Sequence, residues 1–322
     1  MRIFALNGTH ELGAAVATSM GRQLDPHEER EFEDGEHKTR PLVSVRGQDV
    51  YVIHSLTGIG AASANDRLCR LLFFLACCRD NGAERVTAIV PYIAYSRKDR
   101  QTKPRDPVTT RYVAQLFEAM GTDCIVTLDV HNLAAFQNAF RCKTVHLDTR
   151  HLFVSEIERL AGQRPLVVFS PDGGGVKRAQ LLKESFESLT GRQAGFGFME
   201  KRRSSGQVTG ELFAGDVEGA TVFILDDMIS SGGTVLRAAR ACRERGAVAI
   251  HALATHGLFD DGAEQLIDTD AIDRIVVTDS VSSDARRAPP QLQILSIAPL
   301  MAEAIGRLHR RETVSALTGI AD

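Results

Sequence analysis

Residues 224–246, ILDDMISSGGTVLRAARACRERG, carry the clearest structural pattern in the chain. An apolar strand runs into two adjacent aspartates, a Ser-Ser-Gly-Gly-Thr loop follows, and apolar residues then recur at helical spacing until Gly246. Ligands of open parallel sheets bind beyond the carboxyl ends of the strands. We therefore expect Asp226 and Asp227 to border a binding site within one βαβ unit.

The loop after the two aspartates has the composition of a phosphate-binding site. Gly232 and Gly233 allow a tight turn with inward N–H groups, and the hydroxyls of Ser230, Ser231 and Thr234 lie at the positive end of the following helix. A phosphorylated sugar would keep its phosphate away from the acids, which would bind its hydroxyls directly or share a divalent cation with them. The alternative is a glycine turn with capping serines and solvated aspartates, but the length of the pattern favours a ligand.

The rest of the chain alternates short β-rich runs with helical patterns, which predicts parallel sheets covered by helices. A length of 322 residues is sufficient for two domains. A strand also runs into an acid and glycines in VVFSPDGGGVKRA, and a strand ends on an acid in IVTLDVH. We therefore expect two similar α/β domains, residues 1–148 and 149–322.

Composition excludes several classes of protein. A net charge of -3 gives no general attraction to nucleic acid or to a membrane surface. The longest apolar run, residues 71–78, is far shorter than the roughly 20 residues of a membrane helix. The first residues lack the basic-then-apolar order of a signal peptide, so we expect a cytoplasmic protein. The six cysteines form no C-x-x-C pair, so neither a zinc site nor a redox motif is expected.

The acidic pair with its Ser-Ser-Gly-Gly-Thr loop resembles the phosphoribosyl-diphosphate loop of type I phosphoribosyltransferases and of ribose-phosphate pyrophosphokinases. A phosphoribosyltransferase would match only the C-terminal half, whereas pyrophosphokinase-like segments occur in family order along nearly the whole chain. These segments are FEDGE (32–36), VRGQDVYVIHS (45–55), PYIAYSRKDR (91–100), KPRDPVTTRYVA (103–114), TLDVHN (127–132), SPDGGGVKRA (170–179), EKRR (200–203) and ETVSALT (312–318). The resemblance implies two type I phosphoribosyltransferase-like domains, each a mostly parallel sheet flanked by helices.

The resemblance also implies a reaction. The family transfers the pyrophosphoryl group of ATP to the C1 hydroxyl of ribose 5-phosphate, with Mg²⁺ as cofactor. This chain has no G-x-x-x-x-G-K-[ST] motif, so ATP requires a different kind of site. In the family that site often crosses a subunit boundary, and the matching ATP-binding residues here are Phe32, Asp34, Glu36, Arg97, Asp99 and His131.

The other site residues are likewise assigned by the resemblance. Without the resemblance, FEDGE would be typical of an exposed turn, and the basic residues 201–203 would be typical of a solvated surface. A histidine at the end of a strand would be typical of a structural role. The resemblance instead implies catalysis by Lys201 and Arg203 on a flexible-looking loop that could close over a polyphosphate. It further implies a pyrophosphate loop (Asp172, Gly173, Gly174, Gly175), metal contacts (His131, Asp172) and a ribose 5-phosphate site (Asp226, Asp227, Ser230, Ser231, Gly232, Gly233, Thr234).

Two positions depart from the commonest family pattern. Ser230 stands where many members have Asp, which removes one negative charge from the phosphate loop, and Lys98 stands where Gln is frequent. Two alternatives remain: a non-catalytic homologue that regulates an active synthetase, and a phosphoribosyltransferase. The intact basic and metal-binding residues favour the active pyrophosphokinase. The family also implies a homo-oligomer, between a dimer and a hexamer.

Overall fold

A computed structural model describes residues 1–58, 62–204, 207–260, 263–267, 269–281 and 290–319, with the side chains of 201–211 and 267 left out. The chain divides into two compact units. The first comprises Met1–Asp148, a short return at Ser280 and the chain from Ser296 onward, and the second comprises Thr149–Asp279 and the segment that ends at Leu295. This division differs from the expected second domain, 149–322, because the C-terminal helix packs within the first unit.

The first unit is built on a five-stranded parallel sheet with the order β1-β4-β5-β6-β7. A separate antiparallel hairpin, β2-β3, precedes β4 in the chain. The strands are β1 (Arg2–Ala5), β2 (His27–Glu31), β3 (His37–Pro41), β4 (Asp49–Ile53), β5 (Arg85–Ile89), β6 (Cys124–Leu128) and β7 (Lys143–Leu147). The helices are α1 (His10–Ser19), α2 (Ala64–Asp80), α3 (Thr109–Ala119), α4 (Leu133–Ala139) and the C-terminal α9 (Ala298–Arg310), with a 3-10 turn at Ser315–Leu317.

Helix α2 shows how local sequence sets these bounds. Ser63 caps its first turn in a reciprocal capping box with Asp66, which satisfies backbone N–H groups that have no partner inside the helix. Leu68, Leu71 and Leu75 recur on one face and are buried against the sheet. The helix stops at Asn81-Gly82, as the sequence predicts.

The second unit contains a seven-stranded sheet with the order β10-β9-β8-β11-β12-β13-β14. All of its pairs are parallel except β9 with β10. The strands are β8 (Leu166–Ser170), β9 (Gly195–Ser204), β10 (Gln207–Ala214), β11 (Thr221–Ile229), β12 (Ala249–Gly257), β13 (Arg274–Thr278) and β14 (Leu292–Leu295). The helices are α5 (Arg150–Ala161), α6 (Val176–Thr190), α7 (Gly233–Glu244) and α8 (Glu264–Ile267).

Strand β11 lies at the centre of this unit and is buried on both faces. Val222 and Ile224 pack in the core that contains α7, while Phe223 and Leu225 pack in the core that contains α5 and α6. Successive side chains of a strand point to opposite faces, so this alternation places helices on both sides of the sheet. The predicted α/β fold class is confirmed. None of the described helices has the length and apolar content that a membrane crossing requires.

Candidate active site

Strand β11 ends on the acidic pair that the sequence singled out. Asp227 is 2% exposed, and its backbone N–H donates to Asp226 Oδ1 at 2.9 Å. Burial and the neighbouring Asp227 raise the pKa of Asp226 above the ordinary carboxylic range. The site therefore holds two carboxyl groups in a poorly solvated position, where ionisation of one disfavours ionisation of the other.

A cation that the sequence interpretation did not single out lies beside the pair. Arg178 Nη1 is 3.5 Å from Asp226 Oδ1 and 3.4 Å from Asp227 Oδ1. Its charge lowers the pKa of Asp226 and partly offsets the effect of burial. Arg178 belongs to α6 and follows the glycines of SPDGGGVKRA, so the signal was a basic residue in the first turn of a helix that follows a neighbouring strand.

The loop after the pair leads directly into helix α7. Gly232 adopts φ +74° at the N-cap, and a Cβ there would lie 2.9 Å from Leu266 Cβ, so only glycine fits. Ser231 and Gly233 are exposed and Thr234 is half-buried. The N-terminus of α7 thus presents N–H groups and two accessible hydroxyls, an arrangement suited to an anion.

Ser230 is engaged differently from the other loop hydroxyls. Its Oγ donates to Asp260 Oδ2 at 2.5 Å. A serine hydroxyl has a single proton, so Ser230 cannot donate to a phosphate while this bond holds. In this arrangement, Ser231 and Thr234 supply the hydroxyl donors of the loop.

The second glycine loop joins β8 to α6, and β8 pairs with β11 in parallel. Asp172 Oδ1 accepts from the N–H groups of Gly174 at 2.9 Å and Gly175 at 3.0 Å. A Cβ on Gly175 would lie 2.7 Å from Ser170 Oγ. Asp172 therefore organises its own loop with one carboxylate oxygen, which leaves Oδ2 for a ligand.

The basic pair Lys201 and Arg203 lies in a strand. The sequence interpretation placed both on a loop, but the backbone of 201–204 belongs to β9, where Lys201 pairs with Glu211 and Arg203 with Val208 of β10. Their side chains lie outside the described atoms. The expectation of a loop at these two residues was wrong, because their backbone pairs with β10 in an antiparallel ladder.

The FEDGE segment forms the tip of the β2-β3 hairpin. The N–H of Phe32 donates to the carbonyl of Glu36 at 2.8 Å, Gly35 adopts φ +87°, and Asp34 Oδ1 accepts from the N–H of Glu36 at 3.1 Å. Phe32 is 41% exposed, and the guanidinium of Arg30 lies 5.1 Å from its ring centroid. One ring face is thus covered by a cation, and a planar ligand would use the other.

The remaining predicted ATP-binding residues lie on the loops that follow two neighbouring strands of the first sheet, β5 and β6. Arg97 and Asp99 follow β5, and the exposed His131 follows β6. Asn132, next to His131, caps α4 and donates from Nδ2 to Asp99 Oδ2 at 2.7 Å. The structure therefore joins the two loops. The FEDGE hairpin contacts α2 through Glu31 and Arg70, and it contacts the chain after β1 through the Asn7 N–H, which donates to Glu29.

No group of three or more His, Cys, Asp or Glu in the described part of the chain is arranged to hold a metal ion. Oxygen donors that suit Mg²⁺ are nevertheless present at the acidic pair and at Asp172 Oδ2. A divalent cation at either place would need ligands from a bound phosphate or sugar as well. The donor chemistry fits a metal that arrives with its substrate.

Paired carboxylates, a helix N-terminal anion loop and a second glycine loop on neighbouring parallel strands define a class of protein. This arrangement is typical of α/β proteins that bind phosphorylated sugars or diphosphates at the carboxyl edge of the sheet. Comparisons with known proteins identify the family within this class.

Residues 1–121 match the model of the N-terminal domain of ribose phosphate pyrophosphokinase, and residues 208–318 match that of the phosphoribosyl synthetase-associated domain. The chain is 35% identical to a ribose-phosphate pyrophosphokinase of Hyphomonas neptunium, covering 98% of this chain and 99% of the relative. It is 34% identical to ribose-phosphate pyrophosphokinase 1 of Streptococcus pyogenes, covering 98% and 97%. A crystal structure of phosphoribosylpyrophosphate synthetase from Mycobacterium smegmatis superimposes with a TM-score of 0.86 at 32% identity, covering 96% of this chain and 99% of that one.

The chain therefore belongs to the ribose-phosphate pyrophosphokinase family, and it is an enzyme of that type. The resemblance noted in the sequence is confirmed.

Proposed function

We propose that this enzyme transfers the pyrophosphoryl group of ATP to the C1 hydroxyl of ribose 5-phosphate. The C1 oxygen forms a bond to the β-phosphorus, the bond from that phosphorus to the α,β-bridging oxygen breaks, and AMP leaves. Such an in-line displacement depends on positioning and charge neutralisation more than on covalent chemistry by the protein. The observation that carries the proposal is the acidic pair of β11 directly before the anion loop of α7.

The sugar end of the proposed site follows from that geometry. Asp226 and Asp227 accept hydrogen bonds from vicinal ribose hydroxyls, which only ionised carboxylates can do with all their oxygens. The N–H groups of 231–234 bind the 5-phosphate at the start of α7. Arg178 favours the ionised form of Asp226, because its charge opposes the rise in pKa that burial and Asp227 cause.

The nucleotide end is proposed on the first unit. The free face of Phe32 stacks on the adenine, and Arg97 binds phosphate oxygens. Asp34 and Glu36 accept from the exocyclic amine, and Asp99 is held in place by Asn132. His131 completes this set beside the phosphates.

We propose Mg²⁺ as the cofactor, which would be held mainly by the nucleotide phosphates. His131 is the proposed metal contact of the first unit, and Asp172 Oδ2 is the proposed metal contact of the second. When bound, Mg²⁺ supplies neutralisation of the charge on the transferred group. The Asp172 loop is already ordered by its own N–H groups, so the carboxylate presents Oδ2 in a fixed direction.

The decisive assay measures AMP release from ATP and ribose 5-phosphate. A phosphoribosyltransferase would instead consume phosphoribosyl diphosphate with a base and need no ATP. A regulatory homologue would release no AMP alone but would alter the rate of an active synthetase. Absence of AMP release under saturating substrates and Mg²⁺ would overturn the proposal.

Lys201 and Arg203 provide a sharper test of mechanism. As charge stabilisers of the transition state, either side chain is worth on the order of 3 kcal/mol. We expect Lys201→Ala to fold and to bind ribose 5-phosphate like the parent enzyme while AMP release slows about a hundredfold. Near-normal turnover by this variant would refute the role of Lys201.

We also propose a homo-oligomer that works in the cytoplasm. The family's use of neighbouring subunits for ATP binding and the exposed hairpin tip at Phe32 support an assembly. Light scattering coupled to size exclusion measures its order, and a monomeric mass in the active enzyme would contradict it.

A further inference from the structure

Hydrogen bonds hold the chain after β12 next to the start of the loop between β11 and α7. Strands β11 and β12 run in parallel, with Ile229 paired to Gly257. Beyond the strand, the N–H groups of Leu258 and Phe259 both donate to the carbonyl of Ile229, at 2.8 and 3.1 Å. The next residue, Asp260, is therefore held next to Ser230, thirty positions earlier in the sequence.

The backbone at this point is held in an unusual conformation. Phe259 adopts φ +47°, in the left-handed region that a bulky residue rarely occupies. The Asp260 carbonyl accepts from the N–H of Ala263 at 3.0 Å, which fixes the segment on its other side. The backbone of Asp260 is thus held by hydrogen bonds on both sides, and its carboxylate accepts from Ser230 Oγ at 2.5 Å.

This bond determines whether Ser230 can form a hydrogen bond with a donor or with an acceptor of the ligand. An ionised carboxylate has no proton, so the hydroxyl proton of Ser230 lies between the two oxygens. Ser230 Oγ then presents only lone pairs toward the site. A phosphate dianion also offers only acceptors, whereas a sugar hydroxyl offers a proton.

We propose that Asp260 is a positioning residue of the ribose 5-phosphate site, which orients Ser230 to accept a hydrogen bond from a sugar hydroxyl. This inference rests on the proposed substrate. It also accounts for the departure from the family pattern at Ser230. The carboxylate that the loop lacks at this position is supplied from the end of β12 by Asp260.

The experiment compares Asp260→Ala with the parent enzyme in two binding titrations that need no ATP. One measures ribose 5-phosphate by calorimetry, and the other measures inorganic phosphate as its competitor. Loss of a hydrogen bond to an oriented polar group weakens ribose 5-phosphate about tenfold. Inorganic phosphate binds as well or better, because a negative charge is removed and the Ser230 proton becomes free to donate.

The controls separate this role from general damage. Glu264→Ala removes an exposed carboxylate of α8 and leaves both affinities unchanged. Ser230→Ala weakens ribose 5-phosphate like Asp260→Ala, and the double variant is no weaker than either single one, because the two side chains act as one unit. In turnover, the KM for ribose 5-phosphate rises while the KM for ATP stays constant.

An exchange of the two side chains tests the charge directly. Ser230→Asp alone sets two carboxylates against each other and weakens ribose 5-phosphate more than Asp260→Ala does. Combining Ser230→Asp with Asp260→Ser restores affinity to within about threefold of the parent, since one carboxylate and one hydroxyl again share a proton.

Three outcomes would overturn the inference: unchanged ribose 5-phosphate affinity in Asp260→Ala, an equal loss of both ligands, or additive losses in the double variant. A parent enzyme that binds ribose 5-phosphate but releases no AMP would refute the proposed reaction alone. A parent that binds no ribose 5-phosphate would refute both.

Discussion

At the scale of single residues, the acidic pair sets function against stability. In its proposed role, Asp226 accepts from ribose hydroxyls with both oxygens only when it is ionised, yet burial and Asp227 raise its pKa. A raised folded-state pKa means that the native protein binds the proton more tightly than the unfolded chain does. Stability is therefore lost as the pH rises from the unfolded value, about 3.9, toward the raised folded value.

Asp226→Asn should stabilise the protein at pH 8 by about 1 kcal/mol or more, since one pKa unit corresponds to about 1.4 kcal/mol. At pH 4 the difference should shrink, because the carboxyl is then neutral in both states. Urea unfolding at the two pH values measures this, with exposed Asp270→Asn as the control. Lower stability of Asp226→Asn at pH 8 would contradict the direction of the shift.

The phosphate loop offers a matched pair of glycines. Gly232→Ala meets both a left-handed φ and Leu266 Cβ at 2.9 Å, and should cost about 2 kcal/mol or more. Gly233→Ala meets its nearest atom, Ser231 Oγ, only at 4.0 Å and should change stability by under about 1 kcal/mol. Urea denaturation distinguishes the two, and equal effects would show that the loop conformation is not the constraint.

At the scale of elements, helix α6 links the two loops of the second unit. Its start is ordered by Asp172, and one turn further Arg178 reaches the acids of the neighbouring strand. A substitution in α6 can therefore change the ionisation of Asp226 and Asp227 on β11.

Arg178→Met should shift the acidic limb of the kcat/KM profile to higher pH, because the cation that lowers the pKa of Asp226 is gone. Lys177→Met, which removes the adjacent exposed cation, serves as the control and should leave the limb in place. A pH series of initial rates measures both. An unmoved limb in Arg178→Met would mean that Asp226 does not control it.

Asp172 can be tested for its two functions separately. Asp172→Asn keeps an Oδ1 acceptor for the loop N–H groups and should preserve stability while raising the Mg²⁺ concentration for half-maximal rate. Asp172→Ala should lose about 1 kcal/mol of stability as well, the typical value of a capping side chain. Unchanged Mg²⁺ dependence in Asp172→Asn would reduce the role of this carboxylate to loop order.

Strands are predicted correctly from the sequence where the apolar periodicity and the flanking turn residues agree. The sequence predicts seven of the strands, because each is an apolar run bounded by turn residues: β4, β5, β6, β8, β11, β12 and β13. The β2-β3 hairpin was missed because HEERE and HKTRP are almost entirely polar. Its strands are stabilised by pairing with each other and by α2, which no local pattern reveals.

At the scale of the whole molecule, the chain end belongs to the first unit. Met301, Ala304 and Ile305 of α9 are fully buried. His309 Nδ1 lies 2.8 Å from Asp49 Oδ2, and Arg85 Nη2 donates to the carbonyl of Leu308 at 2.9 Å. Residues 1–148 are therefore an incomplete core without α9.

A chain truncated after Leu295 should destabilise the first unit by about 3 kcal/mol or more, since several buried apolar side chains are lost. Hydrogen exchange read by mass spectrometry should show faster exchange in residues 1–148 and little change in 149–279. Truncation after residue 319 is the control. Unchanged exchange in the first unit would show that α9 is dispensable.

The amino-acid sequence was enough to predict the parallel α/β class, the acidic pair in front of a glycine loop and a helix, and the family to which the chain belongs. Those features are local, because strand period, glycine turns and motif spacing are written in consecutive residues. Only the tertiary structure placed Arg178 against the acids, joined Ser230 to Asp260, and assigned α9 to the first unit. These contacts join residues that are distant in sequence. The order of the strands in the sheets brings such residues together, and no pattern of consecutive residues predicts that order.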